Sequence, residues 1–171
     1  AKLGLLRTFQ QTRIYGKLNC IDNMLISNKS SEEGLLSVFS KIPPDLTDKA
    51  ENLLNFVGLY QKRKLRAGDL SFGQQKLLEL AMGLMNEPKM LLLDEPTAGI
   101  NPTLINGIID RLIKVNNEFG ITLLVIEHNM RVIMQLAQKI FCLAHGKMLA
   151  NGTPEQIKND KRVIDAYLGA Q

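Results

Sequence analysis

Two short apolar runs, each ending in polar residues, constrain the fold of this chain more than any other feature. The first is KMLLLDEP, residues 89–96, and the second is ITLLVIEH, residues 121–128. Between them, Asn101 and Pro102 provide an N-cap and a first-turn proline for a helix whose apolar residues keep helical spacing. Because strands alternate with helices, the sequence predicts an α/β fold with a parallel sheet.

The composition is that of an ordinary globular chain. It has 171 residues, of which 45% are hydrophobic and 22% are charged, and its apolar runs are too short to span a bilayer. Two cysteines and two histidines suggest neither a disulfide framework nor a zinc site. The net charge of +4 is scattered apart from QKRKLR, residues 61–66. We interpret that cluster as a solvated face and expect no nucleic-acid partner.

The region from Leu18 to about Leu59 has an interrupted helical pattern, which predicts a small helical lobe. Thr47 is expected to cap a helix that Gly58 ends. A longer amphipathic helix is predicted from Ser71 to about residue 86.

The region after residue 128 combines a helix, a hairpin and further helices. Asn129 is a predicted helix cap, and His145 with Gly146 is typical of a hairpin turn. Thr153 opens a capping box with proline at the first helical position, and a last helix is expected to end at Gly169.

Asp94 and Glu95 come directly after the first apolar strand. Polar residues at the carboxyl ends of parallel strands face the ligand crevice of an α/β sheet. A single acidic residue there is usually a solvated loop residue, but a doublet before PTAGINP is more specific. Asp94 could hold Mg²⁺ through water, and Glu95 could polarise a water for attack on a phosphate.

The stretch LSFGQQ, residues 70–75, allows two interpretations. Ser71 followed by Gln74 is a capping box, which stabilises a helix without any ligand. Alternatively, the Ser71 hydroxyl, the bare backbone of Gly73 and the positive end of the helix form an anion site for a terminal phosphate. The stretch alone does not favour either interpretation.

Five motifs occur here in the order in which ABC-type ATPases show them, and the chain resembles that family along nearly its whole length. LSFGQQ resembles the signature motif, MLLLDEP the Walker B strand, AGIN the D-loop, LLVIEH the switch-histidine strand and LLRTFQ the Q-loop segment. Phe72 in the signature, EHNM after the switch strand and the ending GTPEQIKNDKRVIDAYLG resemble the ATPase subunits of branched-chain amino acid importers.

The resemblance implies one set of residues for ATP that is bound by the opposite subunit. Ser71 and Gly73 are the expected contacts to that nucleotide, and Phe72 and Gln74 complete the cofactor-binding set. Asn101 departs from the acidic residue common in D-loops, so only a dimer contact is expected of it.

The resemblance implies a second set for the nucleotide and Mg²⁺ of the chain itself. Gln10 is the expected sensor of Mg²⁺ and water, and Asp94 the carboxylate on the metal side. Glu95 is the expected general base and His128 the γ-phosphate contact. For His128 alone, capping of the next helix would be the simpler interpretation.

A phosphate-binding loop of the form Gly-x-x-x-x-Gly-Lys-Ser/Thr does not occur in the 171 residues. We therefore expect a C-terminal portion of an ATPase that lacks the first lobe and the strand leading into the Walker A loop. Such a chain should have little ATPase activity alone and bind nucleotide weakly. The missing strand should also leave an open sheet edge, rich in Ile and Leu, through which copies could associate.

Three parts are predicted: residues 1–68 with the Q-loop and helical subdomain, 69–150 as a RecA-like core, and 151–171 as C-terminal helices. The resemblance implies an ATP- and Mg²⁺-dependent importer subunit on the cytoplasmic face of the plasma membrane. It would pair with a second ATPase subunit and contact permease subunits through the helical subdomain. The alternatives are a truncated, catalytically incompetent interaction module and a soluble ABC protein without a transport role.

Overall fold

The computed structural model describes residues 4–7, 14–28 and 43–168. The chain forms two compact units, Ala1–Ile126 and Glu127–Gln171. The three-part division expected from the sequence stays a prediction. Within the described ranges, no helix is long and apolar enough to cross a membrane.

The first unit alternates helices with strands. Its elements in chain order are β1 (Leu5–Arg7), α1 (Cys20–Ser27), α2 (Pro44–Phe56), α3 (Phe72–Leu84), β2 (Met90–Asp94), α4 (Pro102–Phe119) and β3 (Thr122–Ile126). Two single 3₁₀ turns, Tyr60–Lys62 and Ala67–Asp69, connect α2 to α3.

The three strands form one parallel sheet in the order β1-β2-β3, which confirms the predicted sheet type. Leu91 of β2 lies between Leu6 of β1 and Leu123 of β3. In the part of the chain that the structure describes, no strand pairs with the outer edge of β3, and Leu124 and Ile126 are 49% and 52% exposed. Among the described residues this edge is therefore unpaired and carries exposed aliphatic side chains, while association through it stays a prediction.

Helix α3 packs on this sheet at Gly83, where an added methyl group would lie 2.9 Å from a side chain of β1 and 3.9 Å from one of β2. Leu78, Ala81 and Leu84 are buried on the helix, and Leu91 and Leu93 are buried on β2. Burial of such side chains is the main source of stability, at about 1.5–3 kcal/mol for each large aliphatic group.

Helix α4 begins and ends as its sequence predicts. The Asn101 side chain accepts a hydrogen bond from the Thr103 amide at 3.1 Å, and Pro102 occupies the first turn. Gly120 ends the helix with φ of +67°, in the left-handed region that side chains other than glycine rarely adopt.

Helix α2 begins earlier than predicted, and the expected role of Thr47 as its N-cap is wrong. The helix starts at Pro44, and Thr47 lies inside its first turns. Proline at the first helical position lacks only an amide that would be unbonded anyway, and its fixed φ already suits the helix. Gly58, with φ of +76°, follows the C-cap residue Val57 as expected.

The segment that leads into α1 is bonded to the side-chain amide of a buried asparagine. Asn23 is fully buried, and its side-chain nitrogen donates to the Asn19 carbonyl at 2.8 Å and to the Tyr15 carbonyl at 3.1 Å. Its side-chain oxygen accepts from the Tyr15 amide at 2.7 Å. The Asn23 side chain therefore holds the segment before α1 together with backbone hydrogen bonds that the amides of residues 67 and 68 donate to it.

The second unit contains α5 (Met130–Leu136), β4 (Ile140–Ala144), β5 (Lys147–Gly152), α6 (Pro154–Lys158), α7 (Lys161–Val163) and a π-helical turn (Ile164–Leu168). The strands form the predicted hairpin, whose turn residues His145 and Gly146 have φ of +49° and +74°. Both capping predictions hold, because Asn129 caps α5 and Thr153 opens a capping box.

The core of this unit is small. Its buried residues are Ile140, Cys142, Ala150, Ile157 and Val163. The single last helix predicted from the sequence is instead the three-residue α7 followed by the π-helical turn, and Gly169 lies outside the described residues.

Candidate functional site

Asp94 and Glu95 lie at the carboxyl end of β2, the central strand of the described sheet. Asp94 is the last residue of the strand and pairs in register with Ile126 of β3. Its Oδ2 accepts a hydrogen bond from Arg7 Nη2 at 3.2 Å, and the two side chains are 27% and 52% exposed. The carboxylate is thus accessible and has a cationic neighbour from β1.

Glu95 has an unusual backbone conformation. Its φ is +47°, in the left-handed region, which costs a residue other than glycine roughly 1–2 kcal/mol. Its amide donates to the Ile126 carbonyl at 2.9 Å and its carbonyl accepts from the Ala98 amide at 3.1 Å. These two bonds hold the turn in place, and strain of this kind is concentrated at functional sites.

The start of α3 has the predicted capping box. The Gln74 amide donates to Ser71 Oγ at 3.4 Å, and the Ser71 amide donates to Gln74 Oε1 at 3.2 Å. Ser71 is exposed while Gly73 is buried. The capping interpretation is therefore confirmed, and it leaves the Ser71 hydroxyl at the surface.

Phe72 and Asn101 make contacts within the chain. The Phe72 ring lies against Gly99 and is 43% exposed. Asn101 Oδ1 accepts hydrogen bonds from the amide and the hydroxyl of Thr103, so its side chain caps α4. A dimer contact by Asn101 stays a prediction.

His128 belongs to the second unit. It is exposed, and the residue that caps α5 is Asn129, whose side chain accepts from the Arg131 amide at 3.1 Å. The simpler interpretation, that His128 merely caps the next helix, is therefore wrong. Gln10 lies outside the described residues.

Sequence reasoning missed Arg7 and Thr97. Arg7 is the ion-pair partner of Asp94, and Thr97 is a buried polar residue, 5% exposed, in the turn after Glu95. Arg7 lies three residues before Gln10 in a short apolar strand, but nothing local links it to a carboxylate 87 positions away. The sequence signal that could have identified Thr97 is its position in PTAGINP, two residues after Glu95.

The donor set suits Mg²⁺ bound together with a phosphate. In the described ranges, no group of three or more His, Cys, Asp or Glu residues is placed to hold a metal ion. Mg²⁺ at nucleotide sites is commonly held by one or two carboxylates plus substrate phosphates and water, rather than by a cage of protein ligands. Asp94, with its accessible carboxylate at a strand end, fits that pattern.

A groove of about 1060 Å³ lies at the other end of the same strands. Its walls include Phe56, Phe119 and Ile121, and the rings of Phe56 and Phe119 meet edge to face at 5.0 Å. Lys49 and Glu87 form an ion pair at this groove, and Lys49 lowers the pKa of Glu87. Because Ile121 precedes β3 while Asp94 ends β2, the groove is separate from the candidate site.

Two family models match the chain. The model described as "ABC transporter" matches residues 4–98, and the model described as "Branched-chain amino acid ATP-binding cassette transporter" matches residues 147–171. The first match contains the start of α3 together with Asp94 and Glu95.

Curated relatives and solved structures agree with these matches. The "High-affinity branched-chain amino acid transport ATP-binding protein LivG" of Escherichia coli K12 is 36% identical over 99% of this chain and 69% of its own length. A probable LivG of Archaeoglobus fulgidus is 33% identical over 100% of this chain and 68% of its own length. The ADP conformation of an ATP-binding cassette of an ABC transporter superposes with a TM-score of 0.80 at 31% identity, covering 97% of this chain and 68% of that one.

Proposed function

This chain belongs to the ATP-binding proteins of the ABC transporter family and has their P-loop α/β fold, and we propose that it serves an importer of branched-chain amino acids as its ATP-hydrolysing subunit. The observation that supports the solute most strongly is the match of residues 147–171 to the model of branched-chain amino acid cassettes. The names of its relatives point the same way.

The proposed chemistry is phosphoryl transfer to water. When bound with ATP, Mg²⁺ neutralises charge on the phosphates. Asp94 is the proposed carboxylate on the metal side, because it is accessible at the end of β2. Glu95 is the proposed general base, which accepts a proton from the attacking water, and its strained turn is supported from β3.

The start of α3 is proposed to bind ATP held by a second subunit. The exposed Ser71 hydroxyl and the positive end of a 13-residue helix suit a terminal phosphate, and Gly73 and Gln74 lie beside it. His128 and Gln10 are proposed as the γ-phosphate contact and the sensor of Mg²⁺ and water, on the strength of the resemblance alone.

The proposed partners follow from the same role. A second ATPase subunit completes the pair of nucleotide sites, and permease subunits contact the helical subdomain at the cytoplasmic face of the plasma membrane. Binding of ATP brings the two ATPase subunits together, and hydrolysis resets them.

A second candidate is an interaction module that binds a partner but not ATP. The 171 residues do not contain Gly-x-x-x-x-Gly-Lys-Ser/Thr, the pattern of a phosphate-binding loop. Calorimetry with Mg²⁺ and ATP on the chain alone tests this second candidate, for which we expect no binding. Tight, stoichiometric binding would contradict that expectation.

The transport proposal is tested in a chimera in which these residues replace the matching 69% of E. coli LivG. The chimera should restore high-affinity leucine uptake to cells that lack LivG, and Glu95→Gln should abolish the uptake. Glu118→Gln, at an exposed position of α4, is the matched control and should leave uptake unchanged. A chimera that hydrolyses ATP in complex with the permease but transports no leucine would refute the solute assignment.

A further inference from the structure

Phe72 is the first residue of α3, and its ring lies directly on the backbone of Gly99. A methyl group placed on the Gly99 Cα would lie 3.2 Å from Phe72 Cε1 and 3.7 Å from Cδ1. Gly99 also has φ of +71°, which favours glycine. The ring therefore covers a position that only glycine can occupy without displacing it.

The ring also lies near a cation from its own helix. Lys76 Nζ lies 5.8 Å from the ring centroid, and its side chain is only 7% exposed. Glu79 pairs with Lys76 at 3.9 Å. A desolvated ammonium group is attracted to an aromatic face. The ring is thus in contact with its own helix and with the backbone of Gly99.

The backbone beneath the ring is a compact turn, residues 97–100. The Ile100 amide donates to the Thr97 carbonyl at 3.3 Å, and the Ala98 amide donates to the Glu95 carbonyl at 3.1 Å. Ile100 is 7% exposed, and its Cγ2 would lie 3.6 Å from a methyl group placed on Gly73. Two consecutive residues at the start of α3 therefore contact the turn that follows Glu95.

We propose that Phe72 is a positioning residue that clamps the 97–100 turn to the start of α3. In this role the ring acts within its own chain, and the expectation that Phe72 binds the cofactor stays a prediction. The functional consequence rests on the proposed function: Ser71, at the ATP of the opposite subunit, and Glu95, at the ATP of its own chain, are mechanically linked. The ring thereby couples two nucleotide sites.

Amide hydrogen exchange of the 171-residue chain without nucleotide tests the clamp. Phe72→Ala should speed exchange at the Ala98 and Ile100 amides at least about fivefold, as expected for loss of a contact of about 1 kcal/mol. Phe72→Tyr keeps the ring and should restore wild-type rates. Phe141→Ala is the matched control, since Phe141 is an exposed aromatic residue of the second unit with a lysine over its ring, and it should leave both rates unchanged.

Exchange at buried amides of α4 gives the global stability to which these rates are compared. If Phe72→Ala does not fold, Phe72→Leu keeps the apolar bulk and should still speed exchange in the turn. Rates at Ala98 and Ile100 within twofold of wild type, once global stability is accounted for, would overturn the clamp.

ATP hydrolysis by the LivG chimera tests the consequence. Phe72→Ala should lower kcat at least about fivefold while KM for ATP stays within twofold, whereas a residue that binds nucleotide would change KM. A change in KM alone would overturn the coupling. An inactive wild-type chimera would instead refute the proposed function, and the exchange result would still decide whether the clamp exists.

Discussion

The strained backbone at Glu95 predicts that glycine is more stabilising than alanine there, which is the reverse of the order at ordinary positions. Glu95→Gly should give a more stable protein than Glu95→Ala, since both remove the same carboxylate and its contacts. The left-handed φ of +47° costs Ala roughly 1–2 kcal/mol. Glycine avoids this but loses about 0.5–1 kcal/mol more chain entropy on folding. The net advantage of Gly is therefore about 0.5–1 kcal/mol.

Urea unfolding followed by circular dichroism measures this difference. For an m-value of about 2 kcal/mol/M, the midpoint of Glu95→Gly should exceed that of Glu95→Ala by about 0.25–0.5 M. Lys114, exposed in the middle of α4, provides the control. There Ala should be more stable than Gly by about 0.8–1 kcal/mol. If Ala equals or exceeds Gly at Glu95 while the control behaves normally, the inference of strain is refuted.

Three further predictions are tested by urea unfolding. Gly120→Ala should destabilise the protein by roughly 1–2 kcal/mol, because the residue has a φ of +67°. Gly107→Ala, in the interior of α4, is the control and should stabilise the protein by up to about 1 kcal/mol. If both substitutions changed the stability in the same direction, the left-handed end of α4 would be contradicted. Asn23→Ala should cost about 1–3 kcal/mol, because the Tyr15 amide loses its acceptor and the Tyr15 and Asn19 carbonyls each lose one of two donors; a cost below about 0.5 kcal/mol would contradict this. Lys49 lowers the folded-state pKa of Glu87, so the pair adds stability above the unfolded pKa of about 4.3 that is lost as the pH falls through the folded value. Lys49→Met should therefore reduce the loss of stability between about pH 5 and pH 3, by less than about 0.5 kcal/mol because the Glu87 carboxylate is exposed. A larger loss in Lys49→Met than in the wild type would contradict the direction of the pKa shift.

The elements that the sequence predicts well are those with local signals. Ser71, Asn101 and Thr153 satisfy amides two or three residues away, and Gly120 ends a helix by its own conformation, so each can be recognised within a few positions. The start of α2 was misplaced because Pro44 and Thr47 both suit a helix start, and Pro44 provides the earlier one.

The candidate site was predictable in its residues but not in its contacts. Asp94 and Glu95 follow from the strand that precedes them. The Arg7–Asp94 ion pair and the Phe72–Gly99 contact join distant positions, and only the packing of β1 beside β2 and of α3 against the turn creates them. The strain at Glu95 likewise depends on its hydrogen bond to Ile126.

The role of Glu95 as general base is the central claim, and ATP hydrolysis by the purified LivG chimera tests it most directly. Glu95→Gln preserves the size of the side chain but cannot accept the proton from water. It should lower kcat at least about 100-fold, the usual contribution of a general base, while the ATP affinity stays within about threefold and Glu118→Gln remains fully active. A kcat for Glu95→Gln within twofold of wild type would contradict the account.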